Sequence, residues 1–216
     1  MDSRSTVLVV DDHPLFRKGV VQLLAMEPSI EVVGEAGNGA QALALVRQHE
    51  PDLILLDLNL KAESGLDILA AIKAEDPSRR VVMLTVSDAA DDLMGAIRAG
   101  VDGYLLKDME PEQLLERIRA ALAGEVVIGE ALAVRLAGAL RQEAQEAAGT
   151  KRDLALLTER EQQVLRCLAD GQSNKRIARA LSITEGTVKV HVKNLLKKLA
   201  FRSRVEAAVW MAQQGH

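Results

Sequence analysis

Five short apolar runs, at residues 6–10, 31–35, 53–57, 81–86 and 103–107, recur through the first half of the chain and fix most of what it can fold into. The third and fourth are apolar at almost every position, as in strands buried on both faces rather than one. Between the runs lie segments with helical spacing of apolar side chains, such as 40–48 and 111–123. Strand and helix in regular alternation imply right-handed crossovers, and therefore an α/β fold with a doubly wound, five-stranded parallel sheet. Ligands of such sheets bind where the carboxyl ends of the strands emerge, so the residues at those ends come first.

After Gly124 the strand rhythm stops. Residues 131–148 are rich in alanine, with Gln142, Glu143, Gln145 and Glu146 near the end, the pattern of a linker helix that frays into an exposed tether before Thr150. From Leu156 onward only helices are expected. Thr158 with Glu161 and Ser203 with Glu206 have the spacing of capping boxes, Thr184 can cap a helix running to about Leu199, and Asp170-Gly171 closes the first of these helices. The expected organisation is an α/β domain over residues 1–125, a linker helix and tether over 126–153, and a small all-α four-helix domain over 154–216.

Charge divides along the same lines. Residues 1–130 carry 12 basic and 23 acidic side chains, a net of −11, whereas residues 154–216 carry 11 basic and 5 acidic, a net of +6. Positive charge concentrated in so small a domain suggests a polyanionic partner for that domain alone. Cys167 has no second cysteine to pair with and sits among Val164, Leu165 and Leu168, where a thiol serves as a small core residue. No apolar run approaches the roughly 20 residues a membrane helix requires, so a cytoplasmic protein without a membrane partner is expected.

Asp11 and Asp12 end the first strand run, Asp57 the third and Lys107 the fifth, with Thr85 near the end of the fourth. On a doubly wound sheet these five residues converge. Three crowded carboxylates repel one another unless a cation intervenes. A hard divalent ion such as Mg²⁺ takes oxygen ligands, and a nearby lysine can neutralise phosphoryl oxygens while one aspartate accepts the phosphoryl group as an acyl-phosphate.

These residues, read as Val9-Val10-Asp11-Asp12-His13, Leu55-Leu56-Asp57-Leu58-Asn59, Leu84-Thr85 and Gly103-Tyr104-Leu105-Leu106-Lys107, resemble the signature of response-regulator receiver domains over residues 6–123. The resemblance implies Asp57 as phosphoacceptor, Asp12 as a direct Mg²⁺ ligand, Asp11 as a ligand through water, and the backbone carbonyl of Asn59 as a further ligand. It also implies that Thr85 and Lys107 contact the phosphoryl group and that Tyr104 moves inward when Thr85 turns toward it. His13 is expected to be a loop or capping residue. Two positions depart from the usual pattern: Lys61 stands where many receivers have proline, and Asp108 follows Lys107 where a cis-proline is frequent.

In the basic domain, residues 181–188 read as a helix, a short turn and a second helix. On that second helix Val188, Val192, Leu195 and Leu199 share one face, while Lys189, Lys193 and Lys197 recur every fourth residue with Val190 and Asn194 beside them. Such a stripe fits the major groove, with lysines toward guanines or phosphates, Val190 toward a thymine methyl, and the Thr184 and Thr187 hydroxyls at a helix N-terminus suited to a backbone phosphate. The runs Leu157-Thr158-Glu159-Arg160-Glu161, Gly171-Gln172-Ser173-Asn174-Lys175 and Thr187-Val188-Lys189-Val190-His191 resemble the helix-turn-helix output domain of the LuxR/FixJ/NarL regulators. By that resemblance Lys189, Val190 and Lys193 read bases, Asn174, Lys175 and Arg179 lie near the DNA backbone, and the final helix, with Val205, Ala208, Val209 and Ala212, forms a homodimer on DNA.

Over nearly its whole length the chain resembles the nitrate/nitrite regulators within that family, which implies a NarX-type sensor histidine kinase as phosphodonor. The expected function is a phosphorylation-dependent, DNA-binding transcriptional regulator rather than an enzyme, with the acidic first domain docked on the basic second one until phosphorylation releases it. Two rival readings remain. A Mg²⁺-dependent phosphohydrolase would need a second acid beside Asp57, a place taken by Asn59; a constitutive DNA-binding regulator would use its first domain only for protein contacts.

Overall fold

The computed structural model describes residues 4–61, 63–128 and 153–214. Strands β1 (Ser5–Val10), β2 (Ile30–Ala36), β3 (Leu53–Leu56), β6 (Val81–Thr85) and β7 (Gly103–Leu106) are the five expected from the apolar runs, each ending within a residue of its predicted boundary. They pair in parallel in the order β2-β1-β3-β6-β7, and a two-residue strand β8 (Val127–Ile128), unforeseen from the sequence, adds to the β7 edge. A small antiparallel hairpin, β4 (Asn59–Leu60) with β5 (Glu63–Ser64), follows β3.

Alternation along each strand sorts the core into two layers. Leu8, Val10, Ile54, Leu56, Val81 and Met83 face α2 (Gly39–His49), α3 (Gly65–Glu75) and α4 (Ala90–Arg98), which contribute Ala42, Val46, Ile68, Leu69, Ile72, Leu93 and Ala96. Val7, Val9, Leu53, Leu55, Val82 and Leu105 face the other way onto α1 (Pro14–Ala25) and α5 (Pro111–Ala123), which contribute Val20, Leu24, Leu114 and Ile118. Because β3 and β6 bury every residue, only their ends are free to carry chemistry.

The linker helix expected at 131–148 lies outside the described residues. Four helices then form the second core: α6 (Glu159–Ala169), α7 (Asn174–Leu181), α8 (Glu185–Lys198) and α9 (Arg204–Gln214). Thr158 and Glu161 make the reciprocal capping box at α6, and the Thr184 hydroxyl accepts from Thr187 N at α8. At α9 the reciprocity is offset: Ser203 Oγ accepts from Glu206 N, but the Glu206 carboxylate reaches back to Arg202 N. Val188, Val192, Leu195 and Leu199 all point into this core, leaving the lysine stripe outside. Cys167 packs against the same core, and its thiol is pushed above its usual pKa, chiefly by burial.

Under the sheet, Lys73 Nζ lies 2.6 Å from Asp102 Oδ2, both side chains almost fully buried, and it also donates to the carbonyls of Pro77 and Arg79. Asp102 accepts in addition from Val81 N, so the pair fastens α3 to the start of β6. Removing one partner strands a buried charge, a loss of about 3–5 kcal/mol. Asp102→Ala is therefore expected to lower receiver stability by that amount in urea unfolding, and Lys73→Met combined with Asp102→Leu to recover most of it.

Candidate phosphoacceptor pocket and nucleic-acid interface

The carboxyl ends of β1, β3, β6 and β7 bring Asp11, Asp12, Asp57, Thr85 and Lys107 to one edge. Lys107 Nζ lies 2.7 Å from both Asp11 Oδ2 and Asp57 Oδ2 and stacks 4.8 Å above the Phe16 ring. One ammonium thus holds two buried carboxylates together. Burial nevertheless pushes the Asp57 carboxyl above its ordinary pKa; Lys107 pulls against this and the nearby Asp11 charge adds to it.

The three aspartates are not equivalent. Asp11 is committed, with Oδ1 accepting from His13 N at 2.7 Å and Oδ2 on Lys107. Asp12 is less committed: Oδ2 accepts from Lys61 N at 3.3 Å, whereas the buried Oδ1 makes no hydrogen bond within the protein and has only the exposed His13 imidazole beside it. Ligand atoms of Asp11, Asp12, His13 and Asp57 all lie within 4.8 Å of one another. A buried carboxylate oxygen without a hydrogen bond, set among other carboxylates, fits a hard, oxygen-preferring cation such as Mg²⁺. Asp12 and Asp57 are the carboxylates of this cluster that would hold it, and the engaged Asp11 suits contact through water. His13 precedes α1 but makes no side-chain cap; its Nδ1 instead lies 2.8 Å from Asp12 Oδ1.

Thr85 is fully buried, and its hydroxyl accepts from Ser87 N at 3.1 Å. The Tyr104 ring is equally buried, with its hydroxyl donating 3.0 Å to Ser87 O and its pKa pushed up to about 12, mainly by burial. Tyr104 therefore already occupies the inward position that the sequence expectation assigned to the switched state. Ser87, which the sequence reading passed over, joins both residues, and its own hydroxyl donates to Asp92 on α4. Its only signal in sequence is its place two residues after Thr85.

In the second domain, Lys189, Val190, Lys193 and Lys197 follow one another along α8, and Val190 is a 56% exposed apolar side chain. The Thr184 and Thr187 hydroxyls at its N-terminus bond to each other at 2.8 Å. Lys175 and Arg179 are exposed on α7, but Asn174 departs from the DNA-backbone expectation: it is buried, and its Oδ1 accepts from the equally buried Arg204. Val205, expected on a dimer face, is also buried within the chain.

The acidic and basic halves meet. Lys189 Nζ is 2.7 Å from Asp52 Oδ1 and Lys193 Nζ 3.0 Å from Asp76 Oδ2. Burial opposes ionisation of both aspartates, yet the lysines, with Thr6 at Asp52 and Ser78 at Asp76, outweigh it and hold both carboxyls below the usual range. Such pairs are complete above the ordinary carboxylate pKa of about 3.9 and are lost only as pH falls through the lowered values. A cleft of about 250 Å³ between the domains is lined by Asp52, Asp76, Arg80, Lys189, Lys193 and Arg204. Arg202 Nη1 donates 2.5 Å to Arg98 O at the C-terminus of α4, the negative end of that helix. The receiver glycines Gly100 and Gly124, both at positive φ, lie so close to Arg202 and Arg204 that a Cβ on either would come within 3 Å of them. Partners more than a hundred residues apart leave no local signal in sequence.

Comparison with known proteins gives the same division. Residues 7–119 match the response regulator receiver domain family, and residues 155–211 match the bacterial regulatory proteins of the luxR family. The chain is 51% identical over 210 residues to the nitrate/nitrite response regulator protein NarL of Escherichia coli K12, covering 97% of this chain and 96% of that protein. It is equally 51% identical to NarP of the same organism over 209 residues, covering 96% and 94%. Among solved structures, a LuxR-family two-component response regulator from Aurantimonas superposes with a TM-score of 0.60 at 30% identity, covering 64% of this chain and 99% of that one. The acidic pocket at the strand ends and the capped lysine-bearing helix are thus the two working parts of one known architecture, and the chain belongs to the LuxR family of two-component response regulators.

Proposed function

We propose that this response regulator is nitrate- or nitrite-responsive, receives its phosphoryl group on Asp57 from a NarX-type sensor histidine kinase, and binds promoter DNA as a homodimer through α8. The 51% identity to both NarL and NarP, nitrate/nitrite response regulators by name, supports the stimulus. The observation that carries the mechanism is the pairing of Lys189 with Asp52 and of Lys193 with Asp76. The two lysines best placed for the major groove are held by receiver carboxylates that stand in for DNA phosphates. Shielding is partial, since Val190 and half of each lysine remain exposed, so the unphosphorylated protein keeps weak DNA affinity.

An Asp57 carboxylate oxygen bonds to the phosphorus as the P–N bond to the kinase's phosphohistidine breaks and the imidazole leaves, and Lys107, released from sharing two carboxylates, donates to the phosphoryl oxygens. Bound Mg²⁺, held by Asp12, Asp57 and the Asn59 carbonyl, supplies neutralisation of the phosphoryl charge. Thr85, freed from Ser87 N, turns its hydroxyl to the phosphoryl group. Ser87 ties this movement to α4 through Asp92, and the far end of α4 is where Arg202 docks. Couplings of this sort are worth about 1–3 kcal/mol, which corresponds to roughly 5–150-fold in DNA affinity.

Fluorescence anisotropy with a nitrate-regulated promoter fragment tests the proposal. Acetyl phosphate with MgCl₂ is expected to tighten binding at least about fivefold in the wild type and not in Asp57→Ala; equal affinity under all conditions would instead support the constitutive reading. Asp52→Asn with Asp76→Asn is expected to raise the DNA affinity of the unphosphorylated protein about three- to tenfold, exposed pairs each contributing up to about 1 kcal/mol. Lys189→Ala should weaken binding in both phosphorylation states, by about 1–3 kcal/mol.

A further inference from the structure

The loop after Asp57 carries a charge that neither the phosphoryl chemistry nor the DNA contacts use. Lys61 stands at the turn of the β4/β5 hairpin, where its N–H donates to Asp12 Oδ2 and its Nζ lies 3.9 Å from the same oxygen. The side chain is 77% exposed and hangs over the outer rim of the pocket, beside an open cavity of about 410 Å³ lined by Asp12, His13, Asn59, Lys61, Glu63 and Asp92. The hairpin is fastened on its far side. Glu63 Oε2 accepts from Gly39 N, 2.6 Å away at the first turn of α2, and Ser64 caps α3 through Leu66 N. With its backbone held at Asp12 and its loop tied to two helices, the Lys61 ammonium stays within a side chain's reach of the carboxylate that a divalent cation would need.

We infer that Lys61 is a built-in competitor for the divalent cation, a positioning residue that weakens Mg²⁺ binding by lending Asp12 a positive charge the metal must displace or tolerate. The inference rests on the reading of this pocket as a Mg²⁺ site. When no cation is bound, Lys61 offsets part of the carboxylate repulsion at Asp11, Asp12 and Asp57. A cation reaching the Asp12 carboxylate displaces the exposed His13 imidazole from Oδ1 and meets the Lys61 ammonium, 3.9 Å from Oδ2. That repulsion acts across solvent and is screened by salt, whereas the lost Lys61–Asp12 pair, being mostly exposed, contributes little to stability. Glu63 and Asp92 on the same rim attract the cation, and Lys61 counters them. The consequence is a receiver whose phosphorylation needs more free Mg²⁺ than one with a neutral residue here.

Isothermal titration of MgCl₂ into the full-length, unphosphorylated protein measures this without reference to phosphorylation. Lys61→Met is expected to bind Mg²⁺ about three- to tenfold more tightly than wild type at low ionic strength, Lys61→Arg within about twofold of it, and the Met variant's advantage to shrink in about 0.5 M KCl. A merely structural role for Lys61 would give no such salt dependence. Equal or weaker Mg²⁺ binding by Lys61→Met, or an advantage untouched by salt, would overturn the inference while leaving the Mg²⁺ site in place. If MgCl₂ bound neither protein, or bound Asp12→Asn as well as wild type, the site reading would fall and the inference with it.

Discussion

Three carboxylates crowded against one buried ammonium are the constraint from which the rest of the molecule follows. Lys107 spans Asp11 and Asp57 at 2.7 Å each, and burial raises the Asp57 carboxyl in spite of it. The pocket is therefore short of positive charge. Asp12 Oδ1 is buried without a hydrogen bond and with only the exposed His13 imidazole near it, a deficit that a hard cation can make good. A phosphoryl group arriving on Asp57 adds further negative charge and must draw in new donors, for which Thr85, at the end of the neighbouring strand, is the proposed candidate. The strands β3 and β6 are buried along their whole length, so the movement cannot be absorbed by the sheet and passes to the loops and α4.

At the other end of the molecule the same electrostatic logic holds with the roles reversed. The second domain carries a basic stripe whose natural partner is a row of phosphates, and the receiver offers Asp52 and Asp76 in their place. Neither pair is deeply buried, so the closed arrangement is weakly held, as a switch requires. Around these pairs the fit is closer: Arg204 is buried, its pKa brought down to about 10 by burial, and Asn174 holds its guanidinium against Gly124. Ser87 and Asp92 tie the pocket to the first turn of α4, and the Arg98 carbonyl at the last turn of the same helix receives Arg202. Both halves of the account thus depend on carboxylates waiting for a better partner, a cation in one case and lysines in the other.

Much of this was legible in the sequence. Strand boundaries emerged within a residue because two-sided burial demands unbroken apolar runs, and the core face of α8 emerged because Val188, Val192, Leu195 and Leu199 keep helical spacing. The pocket residues were legible for the same reason, since each ends a strand. What escaped were features fixed by tertiary partners. Strand β8 has only two residues and exists because β7 offers a free edge. Asn174 was placed near the DNA backbone by the family resemblance, but Arg204, thirty residues away, claims its side chain. Tyr104 looked like a side chain that must move, yet Ser87 O holds it inward already. The interdomain pairs could be anticipated in sign from the charge split, but not in identity.

The central claim, that receiver carboxylates hold the recognition-helix lysines until Asp57 is phosphorylated, is tested most directly by zero-length carbodiimide cross-linking of the intact protein, read by peptide mass spectrometry. An amide between Asp52 and Lys189, or between Asp76 and Lys193, is predicted in the unphosphorylated protein, with its yield falling sharply after treatment with acetyl phosphate and MgCl₂. Absence of both cross-links from the unphosphorylated protein, or a yield unchanged by phosphorylation, would contradict the account.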